Sequence, residues 1–316
     1  CSIVFSYANS GEILIAAEKQ SQNIQSYDID LISLRAIYEP GSSLKIFSIG
    51  AAIEYGLINE NTRFVVNDYI EVIEGSCAKN YEGYKACYRD FLNHEPYELS
   101  VMEIIERSSN VGTILATQNL NIDYLEQYLM KFGFGKPTGV ELTGELSGGF
   151  RDYKTCATCL SSLSIGYSIN VTQLQMIKAY SIIANGGRDI NLSMVKKENN
   201  SLSNEQIISY ESANRLKKLL INVVDGENGT GRSLKLENYI IGGKTGTSKT
   251  HIEGVGYSDF RYNTSFTGFI ETSEGPVVGS VILWGASVNP RSEYVTGGST
   301  AAPLFKNIVS NLVPGE

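Results

Sequence analysis

The sequence lacks several features that would indicate other classes of protein. It contains no block of Lys and Arg, and its net charge of −8 with a pI near 5.0 argues against nucleic acid as a partner. No apolar run approaches the ~18–20 residues of a membrane span, and no signal peptide is visible. No internal repeat or low-complexity tract occurs. With 316 residues, 42% of them hydrophobic, the chain can form one large domain or two closely joined lobes.

The beginning of the chain already has the pattern of a folded element. Ser2-Ile3-Val4-Phe5 has the composition of a strand, so we expect nothing to precede the first element of the fold. This leads us to expect a soluble fragment, from which any anchor or leading domain is missing.

Strand patterns occupy both ends of the sequence, and helical patterns lie between them. Residues 2–17 predict a hairpin, and further strands are predicted over 238–247, 264–271 and 276–285. Helices are predicted over 42–55, 100–108, 111–119, 122–132, 172–185, 211–224 and 302–313. The helix at 42–55 is apolar on so many sides that we expect it to be buried on most faces.

The predicted fold class is α/β of the α+β type, with one antiparallel five-stranded sheet flanked by helices and an inserted all-helical lobe. We predict a single domain over 1–316, with a sheet lobe over about 1–55 and 210–316 and a helical lobe over about 56–209. The active site is expected in the crevice between the lobes.

Three short motifs follow one another in an informative order. Ser42-Ser43-Leu44-Lys45 begins the apolar helix, Ser108-Ser109-Asn110 lies in a turn between two helices, and Lys244-Thr245-Gly246-Thr247 lies on a predicted strand. Ser-x-x-Lys, Ser-x-Asn and Lys-Thr-Gly in this order are typical of the serine acyl-transferases that react with penicillin. Their chemistry requires a serine nucleophile, a lysine that manages its proton, and a cationic strand edge that holds an acyl donor.

The same short patterns also occur elsewhere in the chain. Ser193-Met194-Val195-Lys196 is a second Ser-x-x-Lys, and Ser-x-Asn recurs at 168–170, 212–214 and 287–289. A single match is therefore uninformative, because Ser42 alone is compatible with a helix N-cap and Lys45 with a solvated helix residue. Lys-Thr-Gly occurs only once, and only the set that includes Ser42 combines order, spacing and context.

Longer segments resemble class B penicillin-binding proteins. They comprise residues 38–45, 51–56, 108–112, 164–175, 265–269 and 301–306. The resemblance covers nearly the whole chain and implies the penicillin-binding transpeptidase or serine β-lactamase-like fold. It also implies a peptidoglycan D,D-transpeptidase domain without its N-terminal pedestal and membrane anchor, on the extracytoplasmic face of a bacterial membrane. Two departures affect subfamily assignment: Gln173 replaces the usual proline, and Leu283-Trp284-Gly285-Ala286 replaces an acidic stretch.

The first two motifs are expected to carry the catalytic groups. Ser42 is the nucleophile, and Lys45, one helical turn away, is its base. Burial and the nearby charge of Lys244 are expected to lower the pKa of Lys45. Hydrogen bonds to Ser108 and Asn110 would position its amine. Ser108 would also pass a proton to the leaving nitrogen, and Asn110 would hold a substrate amide.

The third motif is expected to bind the donor. Lys244, Thr245 and Thr247 would bind the terminal carboxylate of a D-Ala-D-Ala peptide, and Gly246 would let the substrate backbone approach. By resemblance, the backbone N–H groups of Ser42 and Thr247 form the oxyanion hole. The implied partners are peptidoglycan stem peptides, β-lactams, a membrane reached through the missing anchor, and a glycosyltransferase. The chemistry requires no cofactor.

Other members of the superfamily and a non-catalytic domain remain as alternatives. In a β-lactamase or a D,D-carboxypeptidase, water would replace the acceptor amine. The chain lacks the Glu-x-x-Leu-Asn element of class A β-lactamases, and Asn110 stands where class D enzymes normally have Val. A β-lactam sensor domain would be acylated without turnover, but the segments at 164–175 and 301–306 argue against it.

Four of the five cysteines form two close pairs. Cys77 with Cys87, and Cys156 with Cys159, have spacings that predict a tetrahedral structural Zn²⁺ site, in which Asp90, His94 or Asp152 could replace one thiolate. Such a metal would tie the irregular 60–99 segment to the helical lobe. Disulfides and buried free thiols are the alternatives, although a C-x-x-C disulfide is usually strained and redox-active. Cys1 stands alone.

Overall fold

The computed structural model describes residues 1–19, 32–79, 81–82, 86–152, 156–196, 205–252, 254, 256–287 and 295–312. Its strands are β1 (Ser2–Tyr7), β2 (Ile13–Glu18), β3 (Arg63–Val66), β4 (Tyr69–Glu71), β5 (Cys87–Arg89), β6 (Tyr97–Ser100), β7 (Gly149–Phe150), β8 (Ile169–Asn170), β9 (Ile241–Ile252), β10 (Gly256–Ile270) and β11 (Val277–Ser287). Its helices are α1 (Ile32–Arg35), α2 (Lys45–Glu54), α3 (Val101–Arg107), α4 (Asn110–Thr117), α5 (Ile122–Lys131), α6 (Cys159–Ser164), α7 (Gln173–Ala184), α8 (Tyr210–Asp225) and α9 (Ala301–Leu312). Among these residues, no helix is both long and apolar enough to cross a membrane.

The main sheet has five strands in the order β2-β1-β11-β10-β9, and its pairs are antiparallel. The predicted five-stranded sheet is therefore confirmed, with the first hairpin beside the last three strands. β9 and β10 reach further than predicted, because their pairing continues through polar residues to Ile252 and Gly256. β9 lies at the edge of the sheet, so one side of the Lys-Thr-Gly-Thr segment is not covered by another strand of that sheet.

Helices cover both faces of the sheet. The alternation of side chains along β11 sends Ile282 into the core that contains α2, α7 and most of α8, whereas Val281 enters a second core with Phe305 of α9. α7 lies within the predicted helical lobe in sequence, yet it packs against β1, β10 and β11.

The helix that follows the first motif lies in the middle of the larger core. Every residue of α2 from Lys45 to Ile53 is buried, as the dense apolar pattern predicted. The ring of Phe47 makes edge contacts with Phe132, Phe134 and Tyr180, at centroid distances of 4.9–5.4 Å. Such contacts stabilise the start of α2 beyond the burial of apolar area alone.

The remainder of the predicted helical lobe also contains strands. Short two-stranded sheets pair β3 with β6, β4 with β5, and β7 with β8. The prediction of an all-helical insertion is therefore wrong in this respect. The strands are only two to four residues long, which is too short for alternation to separate them from a loop.

The two departures from the family pattern meet at one buried serine. Gln173 donates from Nε2 to the backbone oxygens of Ser2 and Ser280, at 3.3 and 2.9 Å, and its Oε1 accepts from Ser2 Oγ at 2.6 Å. Trp284 Nε1 donates to the same Ser2 Oγ at 3.0 Å. These bonds join α7 to β1 and β11, so the two exchanged residues stabilise the same junction.

The cysteine pairs are joined as disulfides, Cys77 to Cys87 and Cys156 to Cys159. The predicted Cys₄ zinc site is therefore corrected, because a disulfide sulfur is not the thiolate that zinc requires. Among the described residues, no group of three or more His, Cys, Asp or Glu side chains is arranged to hold a metal ion. The Cα atoms within each pair are 4.9 and 5.4 Å apart, which suits a direct covalent link.

Candidate active site

The first motif forms a tight turn that runs into α2. Gly41–Leu44 is a 3₁₀ turn, and Lys45 is the first residue of the α-helix. Residues three apart in a 3₁₀ turn are eclipsed, so Ser42 and Lys45 share one side of it. Ser42 is partly exposed, whereas Lys45 is fully buried. Tyr180, on α7, stabilises the turn, since its hydroxyl donates to Ser43 O at 2.7 Å.

Two glycines allow this turn to pack against the segment at 164–167. Gly41 has a φ of 54° and Gly166 a φ of 85°, both in the left-handed region that favours glycine. Gly41 N donates to Gly166 O at 3.0 Å. A Cβ on Gly166 would collide with Gly41 O. The segment around Ser164, which resembles the family, therefore supports the turn that carries Ser42.

The second motif meets Lys45. Ser108 ends α3 in a left-handed conformation, with φ 62° and ψ 35°. Lys45 Nζ donates to Ser108 O at 2.6 Å and lies 3.5 Å from Ser108 Oγ. Burial lowers the pKa of Lys45 to about 7, although the carboxylate of Asp90 opposes the shift. The structure thus brings Lys45 and Ser108 together as the sequence predicted, and leaves the amine partly neutral near pH 7.

Asn110 is held differently from the prediction. It is the first residue of α4, and its Nδ2 donates to Arg89 O at 2.7 Å rather than to Lys45. The expected support of the lysine by Asn110 is therefore corrected in this structure. Asn110 and Ser108 belong to the same short turn, so the turn is held by Arg89 at Asn110 and contacts Lys45 at Ser108.

Asp90 is the residue that sequence reasoning missed here, because it was considered only as a substitute metal ligand. Its Oδ1 accepts from the backbone N of Asn110 at 2.5 Å and of Val111 at 3.0 Å. Its Oδ2 accepts from Ser109 Oγ at 2.7 Å. The only signal in the sequence is an acidic residue in a short strand-like segment, which does not indicate a contact with a helix that begins much later in the chain.

The third motif lies on the edge strand β9, with its side chains on alternating faces. Lys244 is fully buried. Burial is the larger cause that holds its pKa well below the usual range, and repulsion from Lys45 is the smaller one. The charge of Lys244 was predicted to lower the pKa of Lys45, but the repulsion lowers the pKa of Lys244 instead. On the other face, Thr245 Oγ1 donates to Thr230 Oγ1 at 2.9 Å, and Thr247 Oγ1 accepts from Gly297 N at 3.1 Å.

Gly246 is also required for packing within the protein, which the sequence did not show. A Cβ at this position would collide with Ser265 Oγ and would lie 3.0 Å from Pro40 O and 3.3 Å from Ser43 Oγ. The contact that excludes a side chain is therefore with the protein itself. Gly246 lets the turn at Gly41–Leu44 pack directly against β9, which brings the first and third motifs together.

The other matches to the short patterns lie in different environments. Ser193 forms a bridge with Glu12 in an extended segment, and its hydroxyl donates to Glu141 Oε1 at 2.8 Å. It does not begin a helix, so Lys196 is not on a shared helical face. Ser212 and Asn214 lie within α8, and Val288 and Asn289 are outside the described residues. In the part of the chain that the structure describes, only the turn at Ser42 joins a serine, a buried lysine and a Ser-x-Asn turn.

Known proteins resemble this chain over its whole length. Residues 1–310 match the family model described as the penicillin binding protein transpeptidase domain. Stage V sporulation protein D of Bacillus subtilis is 28% identical over 94% of this chain and 45% of its own length. Penicillin-binding protein PbpB of Mycolicibacterium smegmatis is 30% identical over 89% and 44%. The probable peptidoglycan D,D-transpeptidase PbpC of Pseudomonas aeruginosa is 27% identical over 98% and 53%. The chain spans about half the length of the curated relatives it matches.

Solved structures give the same assignment. Penicillin binding protein 3 of Mycobacterium tuberculosis, in its apo form, is 27% identical, with a TM-score of 0.81 over 99% of this chain and 72% of that one. The transpeptidase domain of Burkholderia pseudomallei penicillin-binding protein 3 is 22% identical, with a TM-score of 0.82 over 99% and 87%, and therefore supports the fold alone. Since the family model covers residues 1–310 of 316, the chain belongs to the penicillin-binding protein transpeptidase domain family, and its resemblance to class B members is confirmed.

Proposed function

We propose that this chain is a serine D,D-transpeptidase that cross-links peptidoglycan stem peptides. The observation that carries the proposal is the buried Lys45. Its pKa is about 7, it donates to Ser108, and it follows Ser42 by one helical turn. A lysine in this state accepts a proton at neutral pH, which an exposed lysine rarely does. Relatives named as peptidoglycan D,D-transpeptidases support the same reaction.

Acylation begins at Ser42. Neutral Lys45 takes the hydroxyl proton while Ser42 Oγ bonds to the carbonyl carbon of the penultimate D-Ala. The backbone N–H groups of Ser42 and Thr247 would stabilise the oxyanion. The amide C–N bond then breaks, and Ser108 relays a proton to the departing nitrogen. D-Ala leaves, and the rest of the peptide is an ester of Ser42.

Lys244 is assigned to the terminal carboxylate of the donor. In the free protein its pKa is lowered by burial and by Lys45. A bound carboxylate would supply the opposite charge and raise that pKa, so donor binding and protonation of Lys244 would favour each other. Thr247 already accepts a bond through its hydroxyl oxygen, and a hydroxyl in that position still has its own proton to donate.

Deacylation needs a nucleophile from a second peptide. The amine of a neighbouring stem peptide would attack the ester carbonyl, lose a proton to Lys45, and regenerate the Ser42 hydroxyl as the new amide forms. This reaction requires no metal or organic cofactor. We also propose that the enzyme acts at the extracytoplasmic face of a membrane, next to a glycosyltransferase.

β-Lactams are proposed to acylate the same serine. The Mycobacterium tuberculosis relative, which is 27% identical, has been solved in complexes with aztreonam and with ampicillin, with TM-scores of 0.81 and 0.80. A β-lactam carries both the strained amide and the carboxylate that the donor peptide offers to Ser42 and Lys244. We therefore expect β-lactams and donor peptides to compete for one site.

The test is an acyl-transfer assay with a D-Ala-D-Ala stem-peptide analogue, with and without an amine acceptor. Without the acceptor we expect at most one equivalent of D-Ala per enzyme, released when Ser42 is acylated. Repeated turnover and a new amide should require the acceptor, and Ser42→Ala should give neither product. Ser193→Ala serves as the matched control, because it removes the serine of the second Ser-x-x-Lys and should retain activity. Repeated release of D-Ala without formation of a new amide, with water as the second nucleophile, would indicate a carboxypeptidase. Rapid hydrolysis of penicillin would indicate a β-lactamase. Stable acylation without turnover of any peptide would indicate a sensor domain.

A further inference from the structure

The turn that carries Ser108 depends on one carboxylate from another part of the chain. Asp90 follows β5 directly, and its backbone N donates to Asp68 O at 2.9 Å. Its side chain is only 7% exposed. It reaches the N-terminus of α4, where the first backbone N–H groups of a helix have no partner within the helix. Asp90 therefore supplies acceptors where the helix itself offers none.

Asp90 holds this turn through three hydrogen bonds. Asn110 N and Val111 N donate to Oδ1, and Ser109 Oγ donates to Oδ2. Ser109 Oγ in turn accepts from Gly112 N at 2.8 Å, so the N-cap of α4 is itself oriented by Asp90. The preceding residue adds a fourth contact, since Arg89 O accepts from Asn110 Nδ2. The pair at 89–90 thus holds both the backbone and the side chain of Asn110.

This arrangement determines where Ser108 lies. Ser108 occupies a left-handed conformation that is unfavourable for a residue with a Cβ, so surrounding contacts must maintain it. On one side it ends α3, and on the other it joins the N-cap that Asp90 fixes. Its carbonyl oxygen and hydroxyl face Lys45 Nζ. A shift of α4 would therefore move the groups that contact the amine.

We propose that Asp90 is a positioning residue for acylation, which holds the Ser108–Asn110 turn against Lys45. The proposal rests on the function proposed above. Asp90 acts through the turn and through its charge, and does not touch the substrate.

The charge of Asp90 gives the proposal a distinctive consequence. The titratable groups that interact with Lys45 are Asp90, which favours its ammonium form, and Lys244, whose own pKa is lowered by Lys45. Asp90 itself faces His94, whose Nε2 lies 3.3 Å from Oδ2. It also interacts with Tyr97, whose pKa is raised mainly by burial, with a smaller contribution from Asp90 that Arg107 opposes. Removal of the negative charge should therefore lower the pKa of Lys45 further.

The test measures the second-order rate constant of acylation by a fluorescent penicillin from pH 5.5 to 9, for wild type, Asp90→Asn and Asp90→Ala. Asp90→Asn preserves the shape and one acceptor but removes the charge. We expect its plateau rate to fall at least tenfold and its midpoint to move to lower pH. Asp90→Ala should lose still more, because two backbone N–H groups lose their acceptor. If Asp90→Ala does not fold, the comparison of Asp90→Asn with wild type alone decides whether Asp90 has the positioning role.

Asn121→Ala is the matched control, since Asn121 caps the next helix, α5, through Asp123 N at 2.7 Å. It should lower the melting temperature while leaving the plateau within twofold of wild type and the midpoint unmoved. For Asp90→Asn, either a plateau within twofold of wild type or an unmoved midpoint would overturn the positioning role. A wild-type protein that is never acylated would overturn the proposed function, and this proposal with it.

Discussion

The protonation state of Lys45 gives the sharpest prediction for the pH dependence of the reaction. Burial lowers the pKa of this lysine from an ordinary value of 10.5 to about 7. The base is active when it is neutral, so the acylation rate should rise with pH and level off above the pKa. About a tenth of the protein would have a neutral Lys45 at pH 6 and about nine tenths at pH 8, which predicts a roughly tenfold increase between them.

A lysine with an ordinary pKa would behave differently. Below pH 9 its neutral fraction stays at only a few per cent, so the rate would climb about tenfold for each pH unit without a plateau. Stopped-flow acylation by a fluorescent penicillin, in buffers of constant ionic strength, distinguishes the two profiles. Thermal melts at each pH serve as the control for unfolding.

Two results would refute this reasoning. A rate that does not vary between pH 6 and 8 would show that no group with a pKa near 7 controls acylation. A rate that still climbs above pH 9 would show that Lys45 keeps its ordinary pKa despite its burial. The first result would exclude Lys45 as the group whose deprotonation controls acylation, and the second would exclude the lowered pKa on which the proposed mechanism depends.

Three further predictions concern the donor site, the disulfides and the family departures. Lys244→Ala should slow acylation by roughly thirtyfold, which corresponds to about 2 kcal/mol for a hydrogen bond to a charged group. Lys244→Arg should retain part of the rate because the charge is kept. Equal, near-wild-type acylation rates in both variants would remove Lys244 from the site. A reductant should lower the melting temperature and a chelator should not, since closure of the Cys77–Cys87 loop contributes about 3 kcal/mol in the chain-entropy model. Zinc in the purified protein, or a melting temperature that falls with the chelator, would support the metal site instead. Gln173→Pro restores the residue usual in the family, but it should lower the free energy of unfolding, measured in urea, by about 2 kcal/mol. The reason is that the buried backbone oxygens of Ser2 and Ser280 lose a donor. An unchanged free energy of unfolding would contradict the role of these hydrogen bonds.

The sequence was sufficient for the parts of the molecule in which the signal is local or repeated. Alternation predicted all five strands of the main sheet, and the apolar pattern predicted the burial of α2. The three motifs predicted that Lys45 would meet Ser108, because a helix start and an inter-helix turn are visible in the residues themselves.

The remaining features depend on contacts between distant segments. The spacing of the cysteines suits both zinc and disulfides, and only the three-dimensional pairing separates the two. Nothing near Asp90 shows that it caps α4, since the two are joined only by the fold. The sequence does not show that Pro40 and Ser43 pack against β9, which is a second reason for glycine at 246. Short strands and the short helix α6, which has no side-chain cap, left no periodic signal.

The central claim is that Ser42 is the nucleophile, and intact-mass spectrometry with a β-lactam tests it most directly. Wild type should gain the mass of one opened penicillin, and peptide mapping should locate that adduct on Ser42. Ser42→Ala should gain none while keeping the melting behaviour of a folded protein, and Ser193→Ala should be labelled like wild type. An adduct that persists in Ser42→Ala, or that disappears in Ser193→Ala, would contradict the account.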